Sequence, residues 1–444
     1  MNKPRNVADE GFLERTFHLR ERGTDVRTEV MAGITTFMTM AYIIFVNPSI
    51  CQETGMPFAA VMYATIASTV LSTVLMAFLA NYPFALAPGM GLNAYFTYSI
   101  VLGMGMPWQT ALGAVFISGV VFLILTFTKV REAIINSVPA SLKSAIGAGI
   151  GLFIAFIGFK SAEFIVPDAA TYLTVGRLTN PPAIVAAIGL LVTSILLARG
   201  VKGGILWGIL ISTAVGIPFG VTPLPKGIIQ WPSLSLWTPV LFKLDIRGAL
   251  SWGILDIIFA FLFVDMFDTV GTLIGVSARG GFLDEEGRLP RAERALMTDA
   301  IGTIAGSFFG TPTVTTYVES ASGVAAGGRT GLTALTTAAM FLLSLLFLPL
   351  VSIVPSAATA PALIVVGAMM MGSIVNIDWN DFSEAIPALI TAVGMPFTFS
   401  IATGIAFGFI SYSAIKVLSG KGKEAHWLVH VLAILFVLRF IYLA

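Results

Sequence analysis

Long apolar runs alternate with short polar breaks from about residue 30 to the end of the chain. A hydrocarbon core about 30 Å thick needs a helix of roughly 20 apolar residues, and about fourteen runs reach that length. They fall at 30–48, 57–80, 83–102, 108–129, 140–166, 181–199, 202–220, 248–274, 292–309, 311–328, 330–354, 358–376, 384–417 and 426–443. The penultimate run is long and broken by Pro396. The pattern predicts an all-α polytopic membrane protein.

Two of the runs are interrupted. The third, "NYPFALAPGMGLNAYF" from Asn81, holds Pro83, Pro88, Gly89 and Gly91. The tenth, "GTPTVTTYVESASGVAAGG" from Gly310, holds Pro312, Gly323, Gly327 and Gly328. Neither reads as an unbroken helix, and the alternation from Thr313 to Val318 predicts a short extended stretch before a half-helix. Extended backbone at membrane depth survives only inside protein or beside a wet cavity. Short paired strands, one from each run, are therefore expected, with half-helices behind them aiming their positive ends at the membrane centre.

The chain also resembles itself. "SVPASLKSAIGAGIGLFIAFIG" from Ser137 matches "IVPSAATAPALIVVGAMMMGSI" from Ile353, and "ILLARGVKGGILWGIL" from Ile195 matches "AIKVLSGKGKEAHWLV" from Ala414, at offsets of 216 and 219. Seven spans per copy is an odd number, so the second copy must be inverted. The expected organisation is a tail at 1–29, a first seven-span repeat at 30–220, an external linker at 221–247 and a second, inverted repeat at 248–444. In such repeats the binding site forms where the interrupted segments meet.

Composition sharpens this picture. The chain is 56% hydrophobic and 11% charged, whereas soluble domains carry about 25% charged residues. Net charge of +1 gives no field for nucleic acid. Cys51 stands alone, so no disulfide, metal site or cofactor is expected. The polar start, with Arg15, Arg20, Arg22 and Arg27, reads as a retained cytoplasmic tail rather than a cleaved leader. With that tail inside, Lys129, Arg131, Arg199, Lys202, Arg279, Arg288, Arg291, Arg294 and Arg329 are cytoplasmic. Lys160, Arg177, Lys226, Lys243, Arg247, Lys416, Lys421 and Lys423 fall outside, and the last two helices fit worst. The expectation is a multi-pass protein of the cell membrane, in contact with lipid. No phosphate-binding GxxxxGK[ST] occurs, which leaves an ion gradient as the energy source. "GAGIG" at Gly147 lacks a preceding strand and reads as a close-packing face.

Polar residues inside the runs are the candidate chemistry. In "FLFVDMFDTVG", Asp265 and Asp268 lie three residues apart on one helical face. Each costs on the order of 2.5–3.5 kcal/mol at the centre of a membrane helix, which calls for a function. Glu319 sits beside the predicted break of the tenth run, and Asn93 either caps the first half-helix or lines a site. Asp256, Asp299 and the cluster Asp378, Asp381 and Glu384 read better as interfacial, capping and loop residues.

"ITTFMTMAYIIFVNP", "ALAPGMGLNAYFTYS", "FDTVGTLIGV" and "TYVESASGVAAGGRTGLTA" resemble the purine permeases of the AzgA-like branch of the nucleobase–cation symporter superfamily, in order and over nearly the whole chain. The resemblance implies a core and a gate domain, with substrate held in the core between the eighth segment and the paired breaks. It implies import of hypoxanthine, guanine or adenine with a proton, and pairing of two copies through the gate domain. By position Asn93, Asp265, Asp268 and Glu319 match the family's substrate and coupling residues. Asp268 aligns with a Glu of related xanthine and uracil carriers, although Asp265 has an equal claim. Thr272 stands where those relatives keep an acid or His, which argues against pyrimidines and xanthine.

The chemistry agrees with that implication. A carboxylate accepts two N–H bonds from a guanine-like edge, and an Asn both donates and accepts. Phe84, Tyr95, Phe267 and Tyr317 are candidates to stack on a flat base, with Gly89 at the start of the half-helix. One of Asp268, Asp265 and Glu319 would carry the proton. The rival reading is an anion transporter of the same general fold, which three acids oppose. An intramembrane aspartyl protease needs its two Asp on different helices, so no enzyme is expected.

Overall fold

The computed structural model describes residues 11–128, 137–225, 227–251, 255–285 and 288–442. Lys129, Arg131 and Lys226, and the side chain of Asp256, lie outside the described residues. Among the described residues nine helices are long and apolar enough to cross a membrane, and three shorter apolar helices accompany them.

The first segment comprises α1 (Val26–Met40), whose first turn is capped by Asp25 accepting from Thr28 N–H at 3.1 Å, and α2 (Ile43–Cys51). Next comes α3 (Phe58–Leu75), behind Pro57. In the third segment β1 (Leu86–Pro88) leads into α4 (Met90–Ala94), which continues as a wider π-type helix to Gly103. The first half then runs through α5 (Trp108–Thr126), α6 (Ala140–Ser161), the surface hairpin β2 (Ile165–Asp168) and β3 (Tyr172–Val175), α7 (Pro181–Ala198) and α8 (Gly204–Gly216). The second half comprises α9 (Leu255–Gly280), α10 (Ala292–Phe309), β4 (Val314–Thr316), α11 (Ser320–Ala325), α12 (Gly331–Ser344), α13 (Ser356–Met370), α14 (Phe382–Thr398), α15 (Ile401–Leu418) and α16 (Trp427–Tyr442).

Packing sorts these helices into two groups. In the core group α1 packs on α12, α10 on α3 and α5, and α9 on α5. In the gate group α6 packs on α13 and α14, and α7 and α8 pack on α13. Small residues allow the gate helices to approach closely. A Cβ on Gly151 would lie 2.6 Å from the Gly367 carbonyl, and one on Gly149 would lie 2.9 Å from Ala392 Cα. The "GAGIG" run is thus a packing face, as its sequence suggests.

The stretch 384–417, expected as one broken span, is two helices folded back on each other. Gly394 faces Gly404, Thr391 faces Gly408, and Tyr412 Oη reaches Glu384 at 3.0 Å, the falling register of an antiparallel hairpin. The turn is not at Pro396, which α14 absorbs, but at Phe399, which is left-handed at φ 50, with Ser400 Oγ then capping Thr403 N–H at 3.2 Å. This hairpin mirrors α7 and α8, where Gly189 faces Ser212 and Gly208 faces Thr193. The match between Ile195 and Ala414 is therefore out of register, and α16 follows as a further helix.

The lysine placement changes accordingly. Lys416, expected on the opposite side from Glu384, pairs with it at 2.7 Å and with Glu424 at 2.9 Å, its side chain 3% exposed. Ser141, at the start of α6, also donates to Glu384, so the loop 419–426 with Lys421 and Lys423 lies at that same end of the gate. Lys421 pairs with Asp381, the N-cap of α14, at 3.2 Å. The Ser383 hydroxyl and N–H, then Lys421, hold the Asp381 carboxyl down at about 2. A lowered pKa stabilises the fold above the ordinary Asp range, so this cap weakens only as pH falls from about 4 towards 2.

Candidate functional site

The expected strand pair forms. β1 and β4 run antiparallel, with Leu86 opposite Thr316, Ala87 opposite Thr315 and Pro88 opposite Val314. Gly89 N–H donates to the Thr313 carbonyl at 3.0 Å and Tyr317 N–H to the Ala85 carbonyl at 2.9 Å, which lengthens the ladder at both ends. A strand pair this short leaves its outer edges open, and an open buried edge is costly. Side chains close them. Thr73 of α3 accepts from Leu86 N–H at 3.0 Å and donates to its carbonyl at 3.2 Å. Thr303 of α10 does the same for Val314, at 3.0 and 3.1 Å. Asp299 accepts from Thr316 N–H at 3.0 Å, and Ser320 Oγ from Ala85 N–H at 3.0 Å. Thr73 and Thr303 thus close the two strands in the same way.

Gly89 owes its identity to this approach. A Cβ there would sit 3.0 Å from Thr315 Cγ2 and 3.1 Å from its hydroxyl, so a side chain would fit only if Thr315 gave way by a few tenths of an ångström. Tyr317 ties the halves together on the other flank, where its hydroxyl donates to the Pro88 carbonyl at 2.5 Å.

The acids surround this junction but do not share one environment. Asp268 is half-buried and lies against the Thr315 hydroxyl. It is within electrostatic reach of Glu319, Tyr42 and Tyr317. Glu319 precedes α11 and accepts from Tyr42 Oη through Oε1 at 2.5 Å. Asp265, one turn before Asp268, is fully buried behind β4, where it faces Asp299 and has Thr303 Oγ1 at 3.5 Å. The two carboxylates that share a helical face in the sequence thus have different neighbours.

Asn93 stands on α4, which packs against α9. It is 0% exposed, and neither its carboxamide oxygen nor its nitrogen has a hydrogen-bond partner among the described residues. A buried amide left open at both ends costs free energy unless something else binds it. Phe267 is half-buried, its ring 4.5 Å from that of Phe263. Of the other ring candidates, Phe84 stacks on Tyr82 at 5.1 Å, beside Phe282, and Tyr95 packs edge-on against Phe261 at 5.2 Å. Both rings are occupied by protein neighbours. Tyr42, Thr73 and Thr303 escape a reading of the sequence, because threonine and tyrosine are common in membrane helices and only the fold shows what they touch.

Chemically, Asn93 offers a donor and an acceptor, and Glu319 and Asp268 offer two carboxylates within electrostatic reach of each other. A carboxamide can both donate and accept, and a carboxylate accepts from N–H donors with charge-assisted strength.

A family model described as Permease family matches residues 27–407. The chain is 43% identical over 437 residues to the adenine permease AdeP of Escherichia coli (strain K12), across 98% of each chain. It is 45% identical over 443 residues to the guanine/hypoxanthine permease PbuG of Bacillus subtilis (strain 168), across 97% of this chain and 100% of that one. Among solved structures, the transmembrane domain of a cyanobacterium bicarbonate transporter, BicA, aligns with a TM-score of 0.62 at 14% identity, over 85% of this chain and 97% of that one. That last likeness is one of fold.

Proposed function

The chain belongs to the permease family, and on that premise we propose that it imports purine nucleobases (hypoxanthine, guanine or adenine) across the cell membrane by proton symport. The observation that carries this reading is Asn93, a buried carboxamide with both ends open at a junction that also presents Glu319 and Asp268. The names of relatives 43–45% identical over nearly the whole chain support a purine as the solute. The bicarbonate transporter's fold raises the alternative of an anion substrate, which the two acids at the junction oppose by like charge. A cytoplasmic N-terminal tail also gains support, because the hairpin at Phe399 brings Lys416, Lys421 and Lys423 to the end of the gate where α6 begins. That removes the worst exceptions to the positive-inside pattern.

Uptake of radiolabelled hypoxanthine and adenine by cells lacking their own carriers tests the function directly. Unlabelled hypoxanthine, guanine or adenine should compete, and uracil and xanthine should not. Better competition by uracil or xanthine than by all three purines would refute the proposal.

Asn93→Ala removes the open amide and should change the relative affinities of oxo- and aminopurines. The ligand that uses the lost bond should bind about 1–3 kcal/mol more weakly. Inhibition constants for each purine measure this, and a set unchanged by the substitution would reduce Asn93 to a packing residue.

A further inference from the structure

Tyr42 lies where the first segment tightens between α1 and α2. Ile44 N–H donates to the Ala41 carbonyl and Phe45 N–H to the Tyr42 carbonyl, both at 3.1 Å. These are three-residue steps rather than the four-residue steps of an α-helix, and such tightening in mid-helix often marks a functional position. The residue is 1% exposed, and its hydroxyl crosses to the other repeat to donate to Glu319 Oε1 at 2.5 Å.

Glu319 is otherwise loosely held. Its carboxylate makes no cap bond to α11, the half-helix it precedes. Among the described residues Tyr42 is the side chain that donates to that carboxylate, at Oε1, and the other donor is the backbone N–H of Glu319 itself. Asp268 from α9 and Tyr317 are the other ionisable groups within reach of it. A free glutamate has three rotatable bonds and would lose that freedom when it grips a ligand. A donor fixed on one oxygen removes this cost in advance and leaves the other oxygen for the solute.

We infer that Tyr42 is a positioning residue for the substrate: it holds Glu319 Oε1 so that Oε2 meets an N–H of the purine. This rests on the reading of Glu319 as a substrate acceptor. A hydrogen bond to a carboxylate is roughly twice as strong as a neutral one, so the effect of Tyr42 should depend on the charge of Glu319.

The test is a double-mutant cycle of Tyr42→Phe and Glu319→Gln, read as equilibrium binding of radiolabelled hypoxanthine and adenine to purified protein. Tyr42→Phe keeps the ring and its packing. It should weaken binding roughly tenfold, while the maximal uptake rate at saturating purine stays near wild type. In the Glu319→Gln background the same change should cost roughly threefold or less, since the amide oxygen accepts only a neutral bond. Wild-type affinity in Tyr42→Phe would overturn the inference. So would a tenfold loss that persists in the Glu319→Gln background, because Tyr42 would then touch the purine itself. If Glu319→Gln alone binds as wild type, Glu319 is not an acceptor, and the failure lies in the reading beneath the inference.

Discussion

Glu319→Gln is expected to weaken purine affinity by roughly ten- to a hundredfold, as loss of a hydrogen bond to a charged acceptor in a buried site should. Gln keeps the shape and hydrogen-bonding length of the side chain, so no cavity opens and the protein should still reach the membrane. What changes is Oε2, which turns from a charged acceptor into either a weaker acceptor or a donor. If Glu319 binds the base while another acid carries the proton, the variant should still take up purine faster at lower external pH, only at higher purine concentration. Affinity and pH dependence would then separate. Direct binding and uptake at several external pH values measure the two quantities. An unchanged affinity would remove Glu319 from the site.

Much of the architecture is legible in the sequence because its signals are local. Pro83, Pro88 and Gly89 together, within seven residues, disfavour an unbroken helix, and alternation from Thr313 to Val318 marks a strand, so the pairing of β1 with β4 could be anticipated. The turn at Phe399 could not. Pro387 and Pro396 both lie inside α14, and proline is tolerated in membrane helices when neighbours satisfy the freed carbonyls. Phe399 takes a left-handed conformation that a bulky residue rarely adopts, and nothing in its identity announces it. The site was legible only as residue types. Asn93, Asp268 and Glu319 stand out as polar groups in apolar runs, but the bonds that hold Glu319 and the strand pair join positions far apart in the chain. Tyr42 meets Glu319 across 277 positions and Tyr317 meets Pro88 across 229. No periodicity encodes contacts of that kind.

Asp268→Asn should abolish accumulation of purine against its gradient while leaving exchange across the membrane intact. A symporter concentrates its solute only because each cycle also moves an ion down its gradient. If the ion-carrying group is lost but the carrier still alternates, it merely equilibrates the solute. Asp268 suits that role better than its neighbour one turn away. It is half-buried at the junction beside Glu319, whereas Asp265 is sealed behind β4 with Asp299 and Thr303. In wild type, uptake should therefore rise as external pH falls and collapse with a protonophore. In Asp268→Asn, labelled purine should still enter cells preloaded with unlabelled purine, at a rate indifferent to pH and protonophore. The parallel variant Asp265→Asn decides between the two acids. If Asp268→Asn accumulates purine like wild type and Asp265→Asn only exchanges it, the proton travels with the pair behind the strand. If both accumulate it with wild-type pH dependence, neither carboxylate of α9 carries the proton, and symport through this helix is wrong.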